Sequence, residues 1–483
     1  MSIKNKALRG VYWTGIQQIG TQIITFVVSI ILARLLLPEE FGLLAMIAIF
    51  VGLGNMLIQS GLTSSLIRSD SLDEDDYTTV FYFNLVISVL IYITIFFLAP
   101  YIAKFYNQDI LTKIIRIYSL IFVIQAFSIV QNTRLTRIMD FKTQTFITIP
   151  ALTIGGLTGV FMALYGFGIW SLVGYRLSNA TANSFLYWFK TKWRPQGKFD
   201  KKKFKKHFNF GYKLTISGIL DTIFTNLYNI IIGKFYPPAQ VGFYQRASSF
   251  RMLPVGTITS IISKVSYPLL SQVKNETEKL KNIYKKIMQM ILFLLAPLLI
   301  TMGVLATPLF SFLFTDKWLP AVPYFQILII PGILYPVHAY NLDILKVKGQ
   351  SNLFLKLEVV KKIMISIVIF VSFQFGIYGL LYGSIVTSIL ALFINTHYSG
   401  RFINYKMWEQ IQDILPIILL AVFTGLLTYF EDLTIQKITD NSLIRLMSGS
   451  LLSISIYLSL AYLFKIESLK EILKIIKERN ASK

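Results

Sequence analysis

The sequence predicts an all-α integral membrane protein of about fourteen transmembrane helices, arranged as two six-helix lobes in a parallel pseudo-repeat with a further C-terminal helical hairpin. Three observations predict it. The 483 residues are 54% hydrophobic and only 15% charged, and their mean hydropathy is +0.60. A soluble chain of this length carries far more polar surface. Apolar stretches of about 20 residues, each enough to cross the hydrocarbon core as a helix, recur along the chain. Finally, one motif occurs twice. Arg34-Leu35-Leu36-Leu37-Pro38-Glu39-Glu40-Phe41-Gly42 joins two apolar stretches, and Lys234-Phe235-Tyr236-Pro237-Pro238-Ala239-Gln240-Val241-Gly242 does so again. Pro38 matches Pro238, Gly42 matches Gly242, and Tyr12 matches Tyr212 in the same register. A duplicated polytopic bundle is the signature of a transporter with its substrate site at the repeat interface.

The expected spans are roughly 12–36, 40–66, 77–100, 115–137, 142–165, 168–190, 208–234, 240–270, 283–306, 321–345, 353–375, 377–398, 411–430 and 443–465. The basic stretch Met1 to Arg9 has no small-residue cleavage site, and the apolar run behind it exceeds a signal-peptide core, so the first span is expected to be retained. Loop charges set the orientation. Lys4, Lys6 and Arg9 precede the first span; Arg134, Arg137 and Lys142 follow the fourth; Lys190 to Lys206 follow the sixth; Lys274 to Lys286 follow the eighth. The opposite loops, such as Tyr165-Gly166-Phe167, are short and poor in charge. Positive charge marks the cytoplasm, so both termini are expected there. Six spans per copy is an even number, which makes the repeat parallel. The fragments Gly168-Ile169-Trp170-Ser171-Leu172 and Gly376-Ile377-Tyr378-Gly379-Leu380 support the same register. The expected divisions are 1–190, a basic linker 191–207, 208–398, and a hairpin and basic tail over 399–483. The acidic run Asp73-Glu74-Asp75-Asp76 resembles a metal cluster, but such a run is ordinarily just solvated.

The net charge of +23 falls in alternate loops instead of clustering with aromatic platforms, which argues against a nucleic-acid partner. With no Cys, disulfides and Cys-based metal or redox chemistry are excluded. No phosphate-binding Gly-rich loop, His-Glu-x-x-His or Gly-x-Ser-x-Gly motif occurs. The sequence therefore points to a non-enzyme without cofactor, driven by a gradient or by exchange.

Polar residues at membrane depth usually face a cavity or another helix. In the first span Gln17, Gln18, Thr21, Gln22 and Thr25 lie within about 140° of the helix circumference. The seventh repeats the stripe with Ser217, Asp221, Thr222, Thr225, Asn226 and Asn229. The sixth adds Arg176, Asn179 and Asn183 on one face, and the eighth adds Arg246 and Arg251. Arg251 falls roughly 16 Å beyond Gln240, close to mid-membrane. The expected substrate cavity thus draws on Arg176, Asn179, Asn183, Arg246, Arg251, Gln18, Gln22 and Asn226. Helix-packing hydrogen bonds are the plainer reading of the same stripes. Guanidinium grips two phosphate oxygens at once, so a cationic cavity implies an anionic cargo such as a phosphate or pyrophosphate. Asp221 is either a site of H+ or Na+ coupling or a counter-ion to those arginines. His338, alone in mid-span, is expected to pack by a hydrogen bond. Asp343, Lys346, Lys348 and the Glu358/Lys362 pair are expected at the interface.

The run Gly10-Val11-Tyr12-Trp13-Thr14-Gly15, the stretch Ala33 to Ala45 around the Pro38/Gly42 motif, and Gly52-Leu53-Gly54-Asn55-Met56-Leu57-Ile58-Gln59-Ser60-Gly61-Leu62 resemble the polysaccharide transporter branch of the multidrug/oligosaccharidyl-lipid/polysaccharide exporter superfamily. That branch includes O-antigen, teichuronic-acid and capsule-unit flippases. The resemblance implies a MATE-like fold in a bacterial inner membrane. It implies that polyprenyl-pyrophosphate-linked oligosaccharide is moved outward by rocking lobes, with membrane lipids and polysaccharide assembly proteins as partners. It also implies that the first and seventh spans line the cavity. A cation-coupled drug or metabolite exporter, a non-transporting scaffold within a polysaccharide assembly complex and a peptidoglycan-precursor flippase are the alternatives.

Overall fold

A computed structural model describes residues 3–59 and 61–481, and the described residues are helical almost throughout. Ser60, within the second-span motif, and the side chains of Lys4 and Lys6 lie outside the description. The chain forms two compact units, Met1–Gln245 and Arg246–Lys483.

The first unit holds α1 (Ile3–Leu35), α2 (Pro38–Gln59), α3 (Leu62–Arg68), α4 (Glu74–Tyr106), α5 (Ile110–Tyr118), α6 (Leu120–Arg137), α7 (Phe141–Leu164), α8 (Ile169–Lys190) and α9 (Lys201–Phe235). Helix α10 (Pro238–Gln272) carries the chain from the first unit into the second. The second holds α11 (Thr277–Val304), α12 (Ala306–Phe314), α13 (Val322–Val347), α14 (Ser351–Ser372), α15 (Gly376–Phe402), α16 (Met407–Gln436), α17 (Ser442–Leu463) and α18 (Glu467–Ala481). Among the described residues eleven segments are long and apolar enough to cross a membrane. They include Tyr12–Leu35, the α5–α6 pair Ile110–Arg137, and Ser351–Phe402, which contains both α14 and α15. Helices α8 and α10 lie where spans are expected but are not among the eleven.

Local chemistry sets the helix ends. The Asp73 carboxylate accepts from the Asp76 amide while Asp76 accepts from the Asp73 amide, a reciprocal cap on α4. Asp140 caps α7, Asp200 caps α9 and Asn441 caps α17 by the same side-chain-to-amide bond. Gly61, at φ +64°, turns the chain between α2 and α3. A β-carbon there would sit 2.5 Å from the Gly211 Cα of α9, so only glycine allows the approach.

The duplicated motif acquires a physical meaning inside the first unit. A β-carbon on Gly42 would lie 2.6 Å from the Pro238 carbonyl carbon and closer still to its oxygen. One on Gly242 would lie 2.8 Å from the Pro38 carbonyl carbon. Each copy's glycine thus receives the other copy's proline carbonyl, and the helix starts cross backbone to backbone. Elsewhere in this unit, Gly155 and Gly159 of α7 give the small-x-x-x-small spacing that lets α8 approach. A β-carbon on Gly155 would meet the Tyr175 carbonyl oxygen at 2.8 Å and the Asn179 Cβ at 2.6 Å.

In the second unit α16 and α17 are docked on α11. Lys285 pairs with Asp413 at 2.7 Å, and the Tyr457 hydroxyl donates to the Phe293 carbonyl at 3.1 Å. The two helices are joined by a bidentate pair, in which Arg445 Nε and Nη2 donate to Asp432 Oδ1 and Oδ2 at 2.8 and 2.7 Å. Glu358 pairs with Lys361, and Lys346 with Asp343 at 3.0 Å.

Candidate functional site

A cavity of about 350 Å³ opens within the first unit, lined by α1, α2, α6, α7 and α8. Its walls are polar and uncharged. Carboxamides come from Gln17 on α1, Asn55 and Gln59 on α2, Gln125 and Asn132 on α6, and Asn179 and Asn183 on α8. Hydroxyls come from Ser128, Thr148 and Tyr187, and the remaining lining is Ile58, Ile129 and Ala180. Helical spacing explains the convergence. Gln125, Ser128, Ile129 and Asn132 stand at i, i+3, i+4 and i+7 on α6, and Asn179, Asn183 and Tyr187 at i, i+4 and i+8 on α8.

Hydrogen bonds fix part of this wall. Gln17 Nε2 donates to Thr148 Oγ1 at 3.1 Å. Asn132 Oδ1 accepts from the Tyr187 hydroxyl at 2.8 Å and from Gln144 Nε2 at 3.0 Å. With its oxygen so occupied, the Asn132 amide nitrogen keeps two donors for the cavity. Ser184 Oγ donates to the Ile124 carbonyl at 2.6 Å, tying α8 to α6. Gly155, by admitting α8 so closely, places Asn179. Every one of these helices has a basic residue at the same end: Arg9, Arg68 beyond α2, Arg137, Lys142 and Lys190. At 1.5 Å per residue, Asn132 lies roughly 8 Å and Asn183 roughly 10 Å from that end.

The expected site residues divide. Asn179 and Asn183 line the cavity, and Gln17, from the α1 stripe, joins them. Gln18 and Gln22 are half-buried on α1 and outside the lining. Arg176 is exposed on α8, its guanidinium carbon 5.2 Å from the Tyr175 ring centre. Asp221 is exposed on α9, and Asn226 Nδ2 donates to the Thr222 carbonyl of the same helix at 2.9 Å. In the second unit the Arg246 guanidinium lies 4.9 Å from the Phe314 ring centre and 4.8 Å from that of Trp318. Arg251 Nη1 donates to the Leu328 carbonyl at 3.1 Å, and its side chain fills the space a Gly332 side chain would need. His338 Nε2 and Ser388 Oγ are 2.9 Å apart, the packing bond expected of it.

The acidic run is solvated only in part, with Asp73 and Glu74 exposed as expected and Asp76 buried, and it is not left without partners. It anchors the linker. Asp75 Oδ1 accepts from the Lys198 amide at 2.8 Å, Glu74 Oε2 accepts from Trp193 Nε1 at 2.5 Å, and Lys203 pairs with Asp73. Asp76 is buried, with Oδ1 2.9 Å from His207 Nε2, and Ser65 Oγ is 2.8 Å from His207 Nδ1. The hydrogen bond from Lys203 holds the Asp73 carboxyl down at about 2.

A model of the family described as "polysaccharide biosynthesis protein" matches residues 31–323. The chain belongs to this family. Among its relatives is the teichuronic acid biosynthesis protein TuaB of Bacillus subtilis (strain 168), 25% identical over 92% of this chain and 93% of TuaB. Another is the succinoglycan biosynthesis transport protein ExoT of Rhizobium meliloti (strain 1021), 27% identical over 71% of this chain and 69% of ExoT. Among solved structures, the lipid II flippase MurJ in an inward closed conformation superposes with a TM-score of 0.75 at 16% identity. It covers 95% of this chain and 100% of MurJ. The family's fold in this chain is therefore that of a known membrane flippase.

Proposed function

We propose that this protein is a flippase that carries polyprenyl-pyrophosphate-linked oligosaccharide across the bacterial inner membrane for surface polysaccharide assembly. The observation that carries this reading is the hydrogen-bonding cavity of the first unit, four of whose five lining helices lie in segments apolar enough to span a membrane. Polar lining at that depth is costly and persists where it serves a passing cargo. The relatives' roles in teichuronic acid and succinoglycan biosynthesis support a glycan cargo. The alignment of basic helix ends supports cytoplasmic termini. Fourteen crossings follow when α8, α10, α14 and α15 each traverse the bilayer, giving two six-helix lobes and a terminal pair. The lobes then alternate access around a cationic path in which Arg176, Arg246 and Arg251 attend the pyrophosphate and Asp221 couples an ion or balances their charge.

Transfer of a short-chain polyprenyl-pyrophosphate oligosaccharide between leaflets of proteoliposomes tests this. Wild type should transfer it, and Arg246→Ala or Arg251→Ala, still folded and inserted, should lose most of the rate. Unchanged transfer in both variants would remove those arginines from the cargo path, and no transfer by wild type would refute the reading.

A further inference from the structure

The cavity's chemistry addresses a different part of such a cargo from its charge. We infer that the first-unit cavity is a recognition subsite for the neutral sugar rings of the glycan, with Asn179 and Asn183 reading their hydroxyl groups; this rests on the flippase reading above. No Lys, Arg, Asp or Glu is among its lining residues, so nothing there compensates a phosphate or a uronate. Each carboxamide instead presents an acceptor oxygen and two N–H donors, the complement of a vicinal diol that both donates and accepts.

Three further features fit a sugar. The volume of about 350 Å³ equals that of about twelve waters and accommodates one or two pyranose rings. Asn55, Gln125, Asn179 and Asn183 make no side-chain hydrogen bond to another described residue, so their groups are available to a ligand. The neighbouring groups are preset: Asn132 is held by Tyr187 and Gln144, and Gln17 is held at Thr148. Such preorganisation favours a particular arrangement of hydroxyls. The exposed Arg176 stands one turn from Asn179 on α8, about 4.5 Å along the axis. A diphosphate at that guanidinium would leave its first sugar next to the carboxamides.

The test is binding to the full chain in lipid nanodiscs, with three C15 polyprenyl diphosphates: one bare, one carrying a neutral N-acetylhexosamine disaccharide, and one carrying a hexuronate disaccharide. The neutral glycolipid should bind wild type roughly 10- to 30-fold more tightly than the bare lipid, as two or so added hydrogen bonds imply. Asn179→Ala/Asn183→Ala should abolish that gain and leave bare-lipid affinity unchanged. Asn183→Gln, which keeps the amide, should retain part of it. The hexuronate form should gain little. If neutral and bare lipids bind alike, or if the double variant weakens both equally, the sugar subsite is wrong while the lipid-diphosphate reading stands. If no lipid diphosphate binds, the flippase reading fails and this inference falls with it.

Discussion

Replacing Gly42 with alanine adds one methyl group at the crossing of the two repeat motifs, and the structure fixes what that methyl meets. It would fall 2.6 Å from the Pro238 carbonyl carbon and 3.1 Å from the Gly242 nitrogen. Both are backbone atoms, so no rotamer change relieves the contact. Overpacking of this kind costs about 1–3 kcal/mol, and a backbone clash belongs at the upper end. Alanine returns about 1 kcal/mol of helix propensity. The net loss is about 2 kcal/mol, or roughly 4–8 °C in Tm for a unit of this size. Gly15 on α1 supplies the opposite case, because a β-carbon there meets nothing within 4 Å. Gly15→Ala should therefore gain up to about 1 kcal/mol and raise Tm by roughly 2–4 °C. Gly242→Ala, which meets the Pro38 carbonyl, should resemble Gly42→Ala. The double variant should fall short of the sum, since one displacement of the crossing accommodates both methyls. Thermal unfolding in nanodiscs, followed by circular dichroism at 222 nm, reads all four. Equal shifts for Gly42→Ala and Gly15→Ala would refute the reciprocal glycine–proline crossing.

Two other consequences can be measured with the same preparation. Arg445→Met should destabilise the protein by about 3–5 kcal/mol, because it strands the buried Asp432 carboxylate, and Asp432→Leu/Arg445→Met should restore most of that loss; a double variant no better than the single would contradict the assignment. The Asp73 carboxyl is held at about 2, below its unfolded value of 3.8, so its contribution is fully present above pH 4 and is lost as pH falls through 2. The Tm difference between wild type and Asp73→Asn should accordingly be constant from pH 7 to 5 and close towards pH 2; a difference that persists at pH 2 would show that Lys203 does not act through charge.

What the sequence disclosed follows the range of the interactions involved. Span positions were legible from local composition, and α1, α4, α7, α8 and α9 lie where the apolar stretches place them. The Pro38/Gly42 and Pro238/Gly242 repeat was equally plain, but its cause was not, since the contact joins residues about 200 positions apart. The stripes led to Asn179, Asn183 and Gln17 because several polar residues crowd one face. Asn55, Gln125 and Asn132 escaped because they are sparser within strongly apolar spans. Their signal was present in the i, i+3, i+7 spacing of Gln125, Ser128 and Asn132, which the same stripe test applied to the fourth span would have found. For Asp73 to Asp76, composition indicated solvation, whereas the partners Trp193, Lys198, Lys203 and His207 lie more than a hundred residues downstream.

The separation of charge from the carboxamide wall also bears on how a carrier releases what it binds. A guanidinium enclosed in the cavity would need a counter-charge whenever the cargo left, and exposing it afresh in each cycle would add a desolvation barrier in both directions. Carboxamides carry no such demand. If Asn179 and Asn183 hold sugar hydroxyls as proposed, water would replace them bond for bond, and bound and unbound states would differ by the modest net value of each exchange. Arg176 is exposed, where a diphosphate can meet it without prior burial, and the Arg246 guanidinium lies against the rings of Phe314 and Trp318, whose faces stabilise a cation. On the proposed reading, selectivity for the glycan comes from the geometry of neutral hydrogen bonds and attraction for the lipid anchor from the arginines, a division that permits tight discrimination with weak enough holding for turnover.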